Sequence, residues 1–185
     1  MDVTFDIIWL GRGGQGVVTA ANLLADASIR SGKYALSIPF FGAERRGAPV
    51  FAYNRISDGK ILSRARVTRA DLVAVLDPTL LETFRLEGFL KPGGKIVVNS
   101  GGRRLKLPSG VESYCLDAVS VAESLGLRLA GIVLVNMPML GATARMYGGV
   151  EFMHLEEAVK DLIRSQVEKN VEAVKRGWEN VGKCS

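Results

Sequence analysis

The stretch Phe5-Asp6-Ile7-Ile8-Trp9-Leu10-Gly11-Arg12-Gly13-Gly14-Gln15-Gly16, followed by Val17 to Arg30, decides the fold. Residues 5–10 form a short apolar run of the kind buried inside a sheet. Glycines then crowd the point where the chain must turn. Beyond them, apolar residues at 17, 20, 21, 24 and 27 recur at helical spacing, and Gly32 marks the stop. Tyr34 to Phe40 reads as a second strand, so the first forty residues form a βαβ unit.

The turn itself carries the chemistry. Gly11-Arg12-Gly13-Gly14-Gln15-Gly16 matches G-x-G-x-x-G between a strand and a helix. Glycines let the backbone approach a phosphate, and the unpaired N–H groups of a helix start attract an anion. A dinucleotide site needs in addition an acid roughly 20 residues further on, at the end of the second strand. Tyr34 to Phe40 contains none, and Glu44, Arg45 and Arg46 come late. The loop also lacks the Gly-Lys-Ser/Thr ending of a P-loop. Anion binding, nicotinamide binding and a ligand-free tight turn all stay open here. The candidate binding residues are Gly11, Arg12, Gly13, Gly14, Gln15, Gly16, Glu44, Arg45 and Arg46.

Further along, Val50 to Ile56 and Lys60 to Val67 flank Ser57-Asp58-Gly59, a pattern that predicts an antiparallel hairpin. Alternation then resumes. Ala70 to Leu76 reads as a strand, Pro78 to Phe89 as a helix, Lys91-Pro92-Gly93-Gly94 as a turn, and Lys95 to Asn99 as a buried strand. Glu112 to Leu116 is a shorter strand and Ala118 to Leu125 a helix. Val133 to Met146 is a small-residue-rich helix starting near Asn136, because proline at 138 is tolerated only in a first turn. Glu151 to Trp178 is helical, with a break expected within 164–169. The expected architecture is α/β: a mostly parallel, Rossmann-like three-layer sandwich with an antiparallel hairpin insertion, forming one domain over residues 1–185.

Composition narrows the function classes. At 185 residues, with 48% hydrophobic and 23% charged residues, the chain has the make-up of a globular domain, not a disordered segment. Two cysteines are too few for a disulfide scaffold. The longest apolar run, Ile132 to Leu140, is broken by Asn136 and Pro138 and is too short for a membrane span. Met1-Asp2-Val3-Thr4 is unlike a signal peptide, so a cytoplasmic location is expected. The net charge of +5 is uneven: residues 45–69 sum to +6 and the remainder to −1. No zinc finger, helix-turn-helix or aromatic platform accompanies that patch, which argues against nucleic acid and for a phosphorylated molecule or an acidic protein partner.

The remaining reactive side chains read as structural. His154 stands alone on an amphipathic helix, and no Cys/His pair has metal-ligand spacing. Cys115 is expected to be a small buried hydrophobe and Cys184 a mobile free thiol. No catalytic residue is assigned. Arg64, Arg66 and Arg69 read as a solvated or partner-facing strand surface. Gly101-Gly102-Arg103-Arg104 follows a strand where α/β proteins place ligand loops, although a surface turn is the simpler reading.

Several of these stretches, taken together and in order, resemble the gamma subunits of pyruvate:ferredoxin oxidoreductase and its 2-ketoisovalerate relatives. They are the glycine loop, Phe41-Gly42-Ala43-Glu44-Arg45-Arg46-Gly47, Arg55-Ile56-Ser57, Asn136-Met137-Pro138-Met139-Leu140-Gly141, and Lys169-Asn170 with Ala173 and Gly177. One departure is Ala48, where many relatives continue Arg-Gly with a second glycine. The resemblance implies a multi-subunit enzyme that oxidatively decarboxylates a 2-oxoacid to an acyl-CoA and reduces ferredoxin. It implies alpha, beta and delta-type partner subunits that carry thiamine diphosphate and iron–sulfur clusters. This chain would then shape the coenzyme A site and support assembly. A stand-alone NAD(P)- or acyl-CoA-binding module is the alternative.

Overall fold

The computed structural model describes residues 4–40 and 47–184. A seven-stranded sheet runs in the order β2-β3-β1-β4-β5-β6-β9. Its strands are β1 (Thr4–Arg12), β2 (Tyr34–Phe40), β3 (Pro49–Ser57), β4 (Ala70–Val75), β5 (Leu90–Asn99), β6 (Glu112–Leu116) and β9 (Gly182–Lys183). All but β3 and β9 point the same way. A separate two-stranded ribbon joins β7 (Arg128–Leu129) to β8 (Ile132–Val133). The helices are α1 (Val17–Arg30), α2 (Ala118–Ser124), α3 (Asn136–Tyr147), α4 (Phe152–Leu162) and α5 (Val167–Asn180).

The apolar run of β1 is continuous because both its faces are buried. Ile7 and Trp9 face the helices, while Ile8 and Leu10 face the other way. On the helix face, α3 and α5 approach until no methyl group fits between them. A Cβ on Gly141 would lie 1.9 Å from the Val174 carbonyl oxygen, and one on Gly177 would lie 1.9 Å from that of Pro138. The Asn136–Gly141 stretch and the Asn170–Gly177 stretch are therefore two halves of one helix contact. The third layer, on the opposite face, is thinner. It is built from two 3-10 turns (Pro78–Leu81 and Leu86–Phe89) and extended segments whose Val67, Leu105 and Leu107 pack on the sheet.

An ion network clamps this thinner side. Asp6 is nearly buried; it accepts from Arg55 Nε (2.8 Å) and pairs with Lys91 Nζ (3.0 Å), which also reaches Asp71 (2.7 Å). Burial works against the Lys91 charge, but its bonds to Asp71 and Asp6 outweigh that and raise its pKa. Arg55 further donates to the Ser63 carbonyl (3.2 Å), tying the extended segment 60–67 across the sheet.

Three expectations are corrected. The antiparallel insertion is real, but its pairing is different: β3 hydrogen-bonds to β2 on one side and β1 on the other, and residues 60–67 form no strand. The buried Asn54 of β3 explains the choice. It accepts from Trp9 Nε1 (2.7 Å) and donates to the Ala21 carbonyl (2.9 Å), contacts available only between β1 and α1. The 78–89 helix is replaced by the two 3-10 turns, since Leu80, Leu81, Phe84, Leu86 and Phe89 all pack on the thin-side core and would point all round a single helix. Cys115 and Cys184 are bonded to each other as a disulfide, so neither is free. The β6–β9 pairing, with Cys115 opposite Gly182, brings their Cα atoms to 5.0 Å. Other elements agree closely with expectation, including the α3 start at Asn136 and the break between α4 and α5. The 91–94 turn is a bulge that interrupts the β4–β5 register.

Candidate functional site at the glycine loop

β1 and β4 are parallel neighbours whose following connections leave to opposite faces: β1 feeds α1 on the helix face, and β4 feeds the 3-10 turns on the other. Such a divergence opens a crevice at the carboxyl ends of the two strands, the usual place for a ligand in an open α/β sheet. The glycine loop forms one wall of this crevice and Asp77-Pro78-Thr79 the other.

A polar clasp spans it. Arg12 Nη2 donates to Thr79 Oγ1 (2.7 Å), Arg12 Nη1 to the Gly47 carbonyl (3.1 Å), and Arg12 Nε lies 3.3 Å from Asp77 Oδ2. Gln15 turns its carboxamide both ways: Oε1 accepts from the Arg12 amide (2.7 Å) and Nε2 donates to Asp77 Oδ2 (3.2 Å). Asp77 Oδ1 also accepts from the Thr79 amide (3.0 Å) and hydroxyl (2.6 Å). Every group of the clasp is thereby oriented before any ligand arrives.

The loop backbone divides its donors. The Gly13 amide donates to the Ala48 carbonyl (2.9 Å), and the Gly13 carbonyl accepts from Gly47 (3.4 Å). The amides of Gly14, Gly16 and Val17 meet no acceptor among the described residues. They sit at the positive end of the 14-residue helix α1, where an anion is stabilised. Gly16 has φ +78°, and a Cβ there would fall 2.4 Å from Asn136 Nδ2, so only glycine fits. Gly11 is equally confined, by Val17 at 2.5 Å from a Cβ position.

Asn136, the first residue of α3, is the partner that sequence reasoning passed over. Its side chain is packed against Gly16, and its buried Oδ1 accepts no hydrogen bond among the described residues. A buried carboxamide oxygen left unpaired costs free energy that a donor from outside would recover. Its place in a quoted motif was the only sequence signal. Asp77 and Thr79 were findable, since Asp-Pro-x after a strand is a capping signature. Of the expected site residues, Gly11 to Gly16 are brought together, whereas Glu44, Arg45 and Arg46 lie outside the described residues. Gly47 and Ala48, which follow them, are bonded to Gly13.

The dinucleotide reading loses its geometry as well as its acid. In that fold the acidic strand lies beside the glycine strand, but here β3 separates β2 from β1. Among the described residues no group of three or more His, Cys, Asp or Glu is placed to hold a metal ion. His154 lies 3.7 Å from Glu157, away from the crevice.

Comparison with known proteins agrees with this fold. The family model for pyruvate ferredoxin/flavodoxin oxidoreductase matches residues 6–180. The common gamma subunit of the pyruvate/ketoisovalerate oxidoreductases of Thermococcus litoralis is 39% identical, with 94% of this chain and 95% of the relative covered. The pyruvate synthase subunit PorC of Methanocaldococcus jannaschii is 40% identical over 95% and 96% of the two chains. The crystal structure of the pyruvate oxidoreductase subunit PORC from Thermotoga maritima superposes with a TM-score of 0.79 at 31% identity, covering 98% of this chain and 99% of that one. An α/β protein with a glycine loop between β1 and α1 is thus also a full-length match to oxidoreductase gamma subunits. The chain belongs to the pyruvate ferredoxin/flavodoxin oxidoreductase family.

Proposed function

We propose that this chain is the gamma subunit of a cytoplasmic 2-oxoacid:ferredoxin oxidoreductase, with pyruvate as the 2-oxoacid, and that its 185 residues act as one domain. The observation that carries this reading is the end-to-end match to gamma subunits of such enzymes. The reaction couples decarboxylation of the oxoacid to acyl transfer onto coenzyme A, with the electrons passing to ferredoxin. Thiamine diphosphate and iron–sulfur clusters supply that chemistry. The residues of this chain do not fit either group: the sequence has no Gly-Asp-Gly stretch of a thiamine diphosphate site, and a cluster needs thiolates, whereas Cys115 and Cys184 are bonded to each other. Both groups therefore belong on the alpha, beta and delta-type partner subunits.

The part left to this chain is to hold coenzyme A. Its pyrophosphate suits the amides of Gly14, Gly16 and Val17 at the α1 start, which meet no acceptor among the described residues. Its amide N–H groups suit Asn136 Oδ1, which has no donor among them. Arg12 and Gln15 keep the crevice walls at fixed separation, and Glu44, Arg45 and Arg46 extend the site from the neighbouring loop. No bond-making step is assigned to any of these residues. No helix among the described residues is long and apolar enough to cross a membrane.

Gentle anaerobic purification from the native source tests the reading. This chain should co-elute at well over 19.9 kDa with iron and thiamine diphosphate. A cofactor-free species of this chain alone would overturn it, leaving a stand-alone nucleotide- or acyl-CoA-binding module.

A further inference from the structure

The thin face of the sheet carries a second concavity, which meets the glycine-loop site only at its Pro78–Thr79 edge. A cleft of about 670 Å³ runs between the 3-10 turns and residues 103–108. Its half-buried lining is apolar, with Leu81 and Phe84 on one wall and Leu105 and Leu107 on the other. Its rim is cationic. Arg85, Arg103, Arg104 and Lys106 are exposed, and none has a side-chain partner among the described residues. Glu82 and Glu87 are the acidic lining residues.

The chemistry discriminates between occupants. A phosphate site would place donors inside the cleft, as the glycine loop does in its crevice. Here polar and apolar surface share the lining about equally, with the half-buried side chains apolar and the charged side chains exposed. That pattern suits a polypeptide segment bearing apolar side chains flanked by carboxylates: the apolar groups fill the trough and the carboxylates meet the rim. Opposite to the helix layer, this face has only turns and extended chain above the sheet, so a partner can approach it directly.

We propose that this cleft docks an acidic segment, bearing apolar side chains, of another subunit of the same complex. The inference rests on the gamma-subunit reading. The test is co-expression of the full set of subunits, with retention of this chain in the purified complex as readout. Arg103→Glu with Arg104→Glu should lower retention about ten-fold or more. Arg164→Glu with Lys175→Glu, an equal charge change on the helix side, should leave it within about two-fold. All four residues are exposed, so both variants should unfold at the wild-type temperature. A photo-crosslinker replacing Lys106 should capture an acidic, apolar-bearing peptide of a partner subunit.

Full retention of Arg103→Glu/Arg104→Glu, or equal loss in both variants, would overturn the cleft while leaving the gamma-subunit reading intact. So would capture of no partner peptide, or thermal stabilisation of the isolated chain by ATP that the double variant abolishes with assembly unchanged. Failure of the wild-type chain to join any complex would overturn both.

Discussion

On one side of the sheet α3 and α5 touch backbone to backbone at Gly141 and Gly177. On the other, Asp6, Arg55, Lys91 and Asp71 hold extended chain in place through charge. The helix side is close-packed and sets the position of Asn136 against Gly16, so the geometry of the glycine loop inherits its precision from that packing. The thin side is covered by turns and extended chain, and its Arg85, Arg103, Arg104 and Lys106 have no side-chain partner among the described residues. Rigidity and availability are thus segregated to opposite faces of one sheet.

The largest expected effect breaks the packed side. Gly141→Ala places a methyl 1.9 Å from the Val174 carbonyl oxygen, backbone that cannot give way. It should cost about 3 kcal/mol in denaturant unfolding, with Gly177→Ala close to it. Near-wild-type stability in both would refute the backbone-to-backbone contact. Next, Gly16→Ala combines φ +78° with the 2.4 Å approach to Asn136. A loss of about 2 kcal/mol is expected, accompanied in the assembled enzyme by a raised KM for coenzyme A.

On the thin side, Asp6→Asn leaves Arg55 and Lys91 facing a neutral group in a nearly buried position. The expected cost is about 2 kcal/mol, without change in the KM for coenzyme A. A changed KM would dissolve the separation of the two faces.

The smallest effect is alkaline. Burial, with the Asp58 charge, pushes the Tyr147 phenol up from 10.0 to about 12. A group whose folded pKa is raised contributes stability that is complete below its unfolded pKa and is lost as pH rises through the folded one. Stability should therefore hold below pH 10 and decline towards pH 12. In an ultraviolet titration at high pH Tyr147 should be the last tyrosine to ionise, and Tyr147→Phe should remove that late step.

The contrast between faces also explains what was legible in the sequence. Elements packed on the helix side announce themselves, because α1, α4 and α5 each bury a stripe with helical period, α3 is mostly apolar and buried all round over residues 136–144, and β1 ends in a glycine turn. The thin side gives no such period. Residues 60–67 resembled a strand because Ile61 and Val67 are apolar, yet the pairing positions beside β3 were already taken by β1 and β2. The 78–89 segment resembled a helix, but its packed residues Leu80, Leu81, Phe84, Leu86 and Phe89 fall on no single helix face. Within the site, the loop was readable from its glycines. Asn136 was not, since its role depends on α3 meeting α1, a contact 120 positions apart along the chain from Gly16. The Cys115–Cys184 disulfide spans 69 positions and was invisible for the same reason.

The central claim is that the helix side presents a coenzyme A site at the α1 and α3 starts. Hydrogen exchange of the assembled enzyme, with and without coenzyme A, tests it most directly. The amides of Gly14, Gly16 and Val17 should slow on binding, together with the first turn of α3. The 103–108 segment should stay unchanged. Protection confined to other subunits, with the glycine loop exchanging as before, would contradict the account.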